Sequence, residues 1–296
     1  MTESRDVNVK VGSETVFVVP IGPQCQVEFV ADTLESIRHF APMARVIIID
    51  DSQRELGTEL GSQFSLTVID APARGVFGGL YLNLSEGFRE ALSKPFRILV
   101  RLDTDALVSG SDFEAKAIDR FNSDPLLGSL GSFRVGYDGI GVRSARWAKR
   151  RFVKYFAIRA WRKPHAAMVI LSILLKARRE GYELGDSIMG GAAIYRYEVL
   201  AALDEKKLLG RPELAETGLQ EDYIFGLCIY SVGFHLGEFG NRFDDLPMGV
   251  NWKSLPASPE ELIENGKSII HSTKNFQAMD EMAIRAAFRA ARQREK

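Results

Sequence analysis

The chain has 296 residues, 46% of them hydrophobic and 26% charged, with 38 Lys and Arg against 39 Asp and Glu. This composition excludes disordered, collagen-like and coiled-coil chains, and a net charge of −1 excludes a nucleic-acid footprint spread over the whole chain. The length allows two domains or one large α/β domain, whose core would need neither disulfide nor structural metal.

The first half alternates strand and helix patterns. Thr15–Pro20 is a short β-branched run, read as a buried strand. Val27, Val30, Leu34 and Ile37 recur at helical spacing, in a helix that must stop before Pro42. Arg45–Asp50 and Ser65–Asp70 read as the second and third strands, Gly79–Leu92 as a helix, and Phe96–Leu102 as a fourth strand. Apolar runs without polar alternation, joined by helices, predict parallel strands covered on both faces.

The second half differs. Gly136–Gly141 is glycine-rich and loop-like. Arg143–Arg179 holds twelve Lys and Arg and no Asp or Glu, with Trp147, Phe152, Tyr155, Phe156 and Trp161 among them. An amphipathic helix through Val199, Leu200 and Leu203 follows Gly190–Arg196, and Tyr223–Val232 is a further helix. Phe234–Phe239 reads as a strand, and the Ala/Arg/Glu-rich tail from Ala278 as a surface helix. The divisions expected are a tail over 1–13, one half over 14–135, a second half of the same domain over 136–275 with a basic insertion at 143–179, and a C-terminal helix over 276–296. Cys25 and Cys228 fit no ligand spacing and read as buried free thiols in a reducing compartment. The first ten residues have no apolar run, so no secretory signal is expected. The longest apolar stretch, Ala166–Leu175, is interrupted by Ser172, so a soluble or peripheral protein is expected.

Ligands in doubly wound sheets sit beyond the carboxyl ends of the strands. Three strands here end in acid, at Asp50-Asp51, Asp70 and Asp103-Thr104-Asp105. Gathering such charges is costly unless a cation or a hydrogen-bonding ligand joins them. Asp103 and Asp105 can converge on Mg²⁺ or Mn²⁺, or form a plain Asp-rich turn. Asp50-Asp51 before Ser52 suits either an Asx turn or recognition of a nucleobase and ribose. Glu221-Asp222 opens a helix, where the dipole favours acids and where a general base could also stand. Gly190-Gly191 permits a turn or close backbone approach. His271, after Ile269-Ile270, is a structural residue or a ligand. A dinucleotide-binding G-x-G-x-x-G, a Walker A loop, a G-x-S-x-G elbow and H-E-x-x-H are all missing from the sequence.

Taken in order, these segments resemble the family 2 inverting glycosyltransferases with a GT-A fold. The resemblance rests on Phe17–Pro20, Ile47–Ser52, Leu102–Ala106, Gly190–Arg196 with Val199-Leu200, Leu219–Asp222 and Ile270–Lys274. It departs from the family at Ile21-Gly22-Pro23, where Thr-Tyr-Asn is usual, and at Tyr81-Leu82-Asn83, where Ala-Arg-Asn is usual. The resemblance implies a Rossmann-like, mostly parallel mixed sheet with helices on both faces. It implies transfer of a sugar from a nucleoside diphosphate donor, UDP-linked in the commonest case, to an acceptor hydroxyl by inverting displacement.

In that reading Pro20, Asp50, Asp51, Asp103 and Asp105 lie on the nucleotide side, and Asp103, Asp105 and His271 hold Mn²⁺ or Mg²⁺. Asp222 is the base, supported by Glu221, and Gly190 and Gly191 face the acceptor. The expected partners are the nucleotide sugar, a saccharide or lipid-linked acceptor and, through the basic insertion, an anionic membrane surface at the cytoplasmic face; nucleic acid is not expected. An inactive glycosyltransferase-like scaffold and a nucleotidyltransferase are the alternatives.

Overall fold

The computed structural model describes residues 14–134, 146–240 and 245–294. The expected tail over 1–13, the glycine-rich Gly136–Gly141 and Arg143 lie outside the described residues.

The first half runs β1 (Thr15–Ile21), α1 (Val27–Phe40), β2 (Arg45–Asp50), α2 (Leu56–Phe64), β3 (Thr67–Asp70), α3 (Gly78–Leu92), β4 (Ile98–Leu102), β5 (Ala106–Val108), α4 (Phe113–Ser123) and β6 (Leu127–Phe133). The basic insertion folds as α5 (Arg146–Lys154), a π-helical turn (Tyr155–Arg159) and α6 (Pro164–Arg179). Then come β7 (Ile188–Arg196), α7 (Tyr197–Glu205), α8 (Pro212–Ala215), α9 (Glu221–Ser231), β8 (His235–Glu238) and β9 (Met248–Val250). The chain closes with α10 (Pro259–Glu264), β10 (Ile269–His271), β11 (Asn275–Phe276), β12 (Met279–Asp280) and α11 (Glu281–Arg294).

Seven strands form one mixed sheet in the order β3-β2-β1-β4-β7-β6-β8. The β1–β2, β2–β3, β1–β4 and β6–β8 pairs are parallel, and β7 runs antiparallel to both β4 and β6. This is the mostly parallel α/β architecture expected. Consecutive residues of the central strands feed opposite layers. Val16, Val18, Ile47, Ile49 and Leu99 enter the core shared with α3, α6 and α9, whereas Phe17, Val19, Ile48, Val100 and Leu102 enter the core under α1 and α4. Burial on both faces is why these strands show no polar alternation. β3 is the exception. It lies at the sheet edge, starts at Thr67 and is only partly buried, because Ser65 takes a left-handed conformation (φ 55°) that closes α2.

A small second sheet, β5-β10-β9, stands beside the carboxyl end of β4. Its antiparallel register sets His271 opposite Ala106, one residue past Asp105. The C-terminal helix is more than a surface helix. Ile284, Arg285, Phe288 and Arg292 of α11 are buried. Asp32 of α1, itself buried, draws these arginines inward: Arg285 reaches it at 3.1 Å and Arg292 also binds it.

Candidate functional site

The strand order reverses at β1, which has β2 on one side and β4 on the other. Pairing of β1 with β2 continues to Ile21, but pairing with β4 stops at Val18. Beyond that point the two carboxyl ends diverge and a cleft of about 560 Å³ opens, at the place where doubly wound sheets bind ligands. Pro20, Cys25, Phe29, Asp51, Leu80 and Thr104 are among its walls. Cys25 is therefore not a buried thiol as expected; it is half-buried at the cleft, 3.1 Å from the Thr104 hydroxyl.

The acids at the strand ends divide. Asp50 is buried, and its two carboxylate oxygens accept the backbone N–H groups of Ser52 and Gly57 at 2.8 and 2.6 Å. That is the Asx-turn geometry, and it occupies the side chain with the start of α2. Asp70 is exposed on the edge strand, apart from the acids gathered at Asp103 and Asp105 among the described residues. Asp51 faces the cleft and accepts from the Asn83 amide at 3.0 Å, while Arg74 donates to the same Asn83 at 2.8 Å. Burial pushes the Asp51 carboxyl above its usual range; the Asn83 bond opposes this and the neighbouring Asp50 adds to it.

Asp103 and Asp105 close the cleft and also line a second, polar cavity with Gly190, Glu221, Asp222 and His271. Lys274 borders both spaces as well. The Asp103 amide donates to the Gly191 carbonyl at 2.8 Å, which locks the acidic turn to β7. The Asp105 backbone carbonyl accepts from the amide and hydroxyl of Thr273. The intervening Thr104 carbonyl accepts from Thr33 and from Arg285, so the turn is clamped from three sides.

Three basic side chains surround the acids. Arg101, in the middle of β4, is 2% exposed and bridges Asp103 (3.2 Å) and Glu221 (2.8 Å). Burial works against its charge, but the two carboxylates outweigh that and hold the guanidinium pKa above its ordinary value. His271 Nε2 lies 3.3 Å and Lys274 Nζ 2.9 Å from Asp105. Burial would raise the Asp105 pKa, yet the charge and hydrogen bonds of His271 and Lys274 depress it well below the usual carboxylate range. Reciprocally, burial would lower the His271 pKa and Asp105 raises it.

Asp103, Asp105 and His271 each offer a ligand atom, all within 4.8 Å of one another. Ligands spaced like this can gather around one ion at bond lengths near 2 Å with a small closure. Two carboxylates and an imidazole suit Mn²⁺ by ligand type, and the carboxylates suit Mg²⁺. The residues fit a divalent cation. Arg101 is fixed by burial, whereas the Lys274 side chain is 59% exposed and can move off Asp105 to admit an ion.

Gly190 and Gly191 lie within β7, not in a turn before a helix, because the residues that follow pair with β4 and β6. Gly191 has φ +102°, and a Cβ there would come within 2.3 Å of His271 Nε2. A Cβ at Gly190 would sit 3.4 Å from a Glu221 oxygen. The glycines thus leave room for the two side chains opposite them. Glu221 and Asp222 begin α9, as read from the sequence, with Asp222 accepting the Tyr223 amide at 2.8 Å. Sequence reading gave no role to Arg101, Lys274, Arg74 or Arg285. Only Arg101 carries a plain signal, a charge inside the apolar run Ile98–Leu102.

No family model matches the chain, and no curated protein does. Among solved structures it is similar to a mannosyltransferase from Pyrobaculum calidifontis in complex with GDP-Man and Mn²⁺, with 16% identity over 76% of this chain and 54% of that one and a TM-score of 0.41. It is also similar to the WbbM bifunctional glycosyltransferase, with 11% identity, 96% and 50% coverage and a TM-score of 0.47. TarS from S. aureus is a third, with 13% identity, 71% and 55% coverage and a TM-score of 0.41. The chain spans about half the length of these structures.

Proposed function

We propose that this protein transfers a glycosyl group from a nucleoside diphosphate sugar to an acceptor hydroxyl. The observation that carries this reading is the position of Asp103 and Asp105 on the wall between two spaces. One is a nucleotide-sized cleft at the topological switch point, and the other is a polar cavity that holds Asp222. The donor, UDP-linked in the first instance, lies in the cleft with its base and ribose at Pro20 and Asp51 and its diphosphate at the acidic turn. Asp50 supports this side from behind, through the start of α2. Residues 14–135 thus supply most of the donor side and 136–275 the acceptor side, with His271 and Lys274 of the second half reaching the acidic turn between them.

Asp103, Asp105 and His271 hold the divalent cation, which when bound neutralises charge on the departing diphosphate. Lys274, displaced from Asp105, remains within the same mouth as a second positive charge. In the polar cavity Asp222 accepts the proton of the acceptor hydroxyl. The acceptor oxygen forms a bond to the anomeric carbon, the bond from that carbon to the diphosphate oxygen breaks, and attack opposite the leaving group inverts the centre. Glu221 does not take the proton itself: its tie to Arg101 fixes the start of α9, and so the place of Asp222. Gly190 forms the acceptor-side floor, and Gly191 makes room for His271. The acceptor is a saccharide hydroxyl, free or lipid-linked.

The test is a panel of UDP- and GDP-linked sugars incubated with the protein and Mn²⁺, scored by release of nucleoside diphosphate, beside calorimetry of UDP and GDP binding with Mn²⁺ or EDTA. One or more donors should be hydrolysed, with Mn²⁺-dependent nucleotide binding. If no member of the panel is hydrolysed and neither nucleotide binds in Mn²⁺, the reading is wrong.

A further inference from the structure

The basic insertion is not used by the reaction above, and its outer surface is not that of an ordinary solvated helix. α6 has two apolar faces. Ala166, Ala167, Ile170, Ile173 and Ala177 are buried on the inner one, in the core shared with α9. On the other side Met168, Leu171 and Leu175 are spaced three and four residues apart, so they form one stripe. They are 70%, 44% and 52% exposed. Trp161, 87% exposed, and Ile158 and Val153, also exposed, stand earlier in the same insertion. Scattered exposed hydrophobics need no explanation, but six of them on one insertion do.

The charges carried by the insertion itself are of one sign. Lys149, Arg150 and Lys154 on α5, Arg162 in the connection, and Lys176 and Arg179 at the end of α6 are all exposed. No acid occurs anywhere in 143–179. A polyanion alone would not call for exposed Met, Leu and Trp, and an ordinary protein partner would not call for an insertion free of acids. A bilayer of anionic lipid accepts both features. The aliphatic side chains enter the acyl boundary, the tryptophan sits at the interface, and the ammonium and guanidinium groups meet headgroup phosphates. α6 has 16 residues, about 24 Å at 1.5 Å per residue, and ends in a cluster of cations, so it is too short to span a bilayer and suited to lying along its surface. No helix among the described residues is long and apolar enough to cross one.

We propose that the outer face of the α5–α6 insertion docks this protein on an anionic lipid surface. The same insertion leans on the segment leading into α9, where Lys163 pairs with Glu216 at 2.6 Å. Docking therefore brings the cavity of Glu221 and Asp222 towards the lipid plane, where a membrane-borne acceptor would present its hydroxyl. That consequence rests on the glycosyl-transfer reading; the docking itself does not.

The experiment is co-sedimentation of the full chain with vesicles of phosphatidylcholine alone and of phosphatidylcholine mixed with phosphatidylglycerol, at low and high salt. Binding should need phosphatidylglycerol and fall with salt. Lys149→Glu/Arg150→Glu/Lys154→Glu should weaken partition by on the order of 10²-fold, since each lost cation near the surface costs about a factor of five. Met168→Ser/Leu171→Ser/Leu175→Ser removes only exposed side chains, so its circular dichroism should match the parent while vesicle binding falls at least tenfold. Sedimentation velocity is run beside it. No binding to anionic vesicles at low salt overturns the proposal, as does equal binding to neutral vesicles. A dimer that the triple-Ser change dissolves, in a chain that ignores vesicles, assigns the face to a second copy instead. Nucleotide binding by calorimetry reports separately on the cleft, so failure here is distinct from failure of the proposed reaction.

Discussion

Replacing Arg101 with Met tests the electrostatic frame of the site. The guanidinium is 2% exposed and is shared between Asp103, 26% exposed, and Glu221, 11% exposed. Methionine keeps most of the side-chain volume but removes the charge, leaving two carboxylates facing each other with little water. Removing one partner of a buried ion pair typically costs about 3–5 kcal/mol. For a chain of this length each kcal/mol lowers Tm by about 2 °C, so thermal unfolding should shift down by about 6–10 °C. Glu221 is the less hydrated of the two acids, and neutralising it should relieve the conflict. Arg101→Met/Glu221→Gln should therefore regain about 0.5–3 kcal/mol over the single variant. Mn²⁺ should also raise the Tm of Arg101→Met by more than it raises that of the parent, because the ion replaces part of the missing charge beside Asp103. Differential scanning calorimetry with and without Mn²⁺ reads all three. A Tm within about 2 °C of the parent, or a double variant no more stable than the single, would refute the view that Arg101 neutralises this pair.

Asp222→Asn keeps the shape of the proposed base without its basicity, so turnover should fall by roughly 10²–10⁴-fold while nucleotide affinity in Mn²⁺ stays within a few-fold; near-normal transfer removes Asp222 from that role. The His271–Asp105 pair gives opposite pH responses in the apo and metal-bound protein. His271 has its pKa raised by Asp105, so its stabilising contribution is complete below the ordinary histidine value and is lost as pH rises through the raised one; Asp105 has its pKa depressed, so its contribution is present above the ordinary carboxylate value and is lost only on acidification. Mn²⁺ needs the neutral imidazole, so its affinity by calorimetry should rise as pH climbs through the raised histidine value, above the ordinary one, while His271→Gln should flatten that rise; an unchanged slope counts against His271 as a ligand. Arg285→Met removes the donor to the Thr104 carbonyl and one partner of Asp32, which keeps Arg292, so the loss should sit near the low end of about 3–5 kcal/mol. Mn²⁺ affinity should fall with it, because the acidic turn loses a clamp; unaltered affinity in a folded variant would show that α11 braces the fold but not the turn.

Local chemistry decides how much of this was legible. The strand over Arg45–Asp50 was readable residue for residue, since an uninterrupted β-branched run buried on both faces leaves few alternatives. The antiparallel insertion of β7 between β4 and β6 was not readable, because which strand pairs with which is settled by tertiary packing rather than by local pattern. Gly190-Gly191 shows the same limit. Of the turn and the close backbone approach that two glycines permit, the structure takes the second, and only the presence of His271 across the gap shows what approaches. The acidic turn was legible as chemistry, yet the sorting of its neighbours was not. Asp50 and Asp51 are adjacent in sequence and point to different work, one satisfying two backbone amides and the other facing the cleft.

The cations of the site were harder to see than its acids, and the reason is physical. An acid at a strand end stands out because the strand is apolar and its end position is known. Its counterion can come from any element, since a long Arg or Lys side chain spans several ångströms and needs no fixed spacing. His271 arrives from the small sheet and Lys274 from the turn that follows it, 166 and 169 positions after Asp105, and Arg285 arrives from a helix whose composition suggests only solvent. Arg101 differs because it has no water to retreat to. A cation in the middle of Ile98–Leu102 must find carboxylates on the neighbouring elements, and the two it finds, Asp103 and Glu221, belong to the two acidic motifs of the site. The buried arginine thus ties the donor-side turn to the start of α9, so that one immobilised side chain joins the clamps on the turn in setting the distance between the proposed metal ligands and the proposed base.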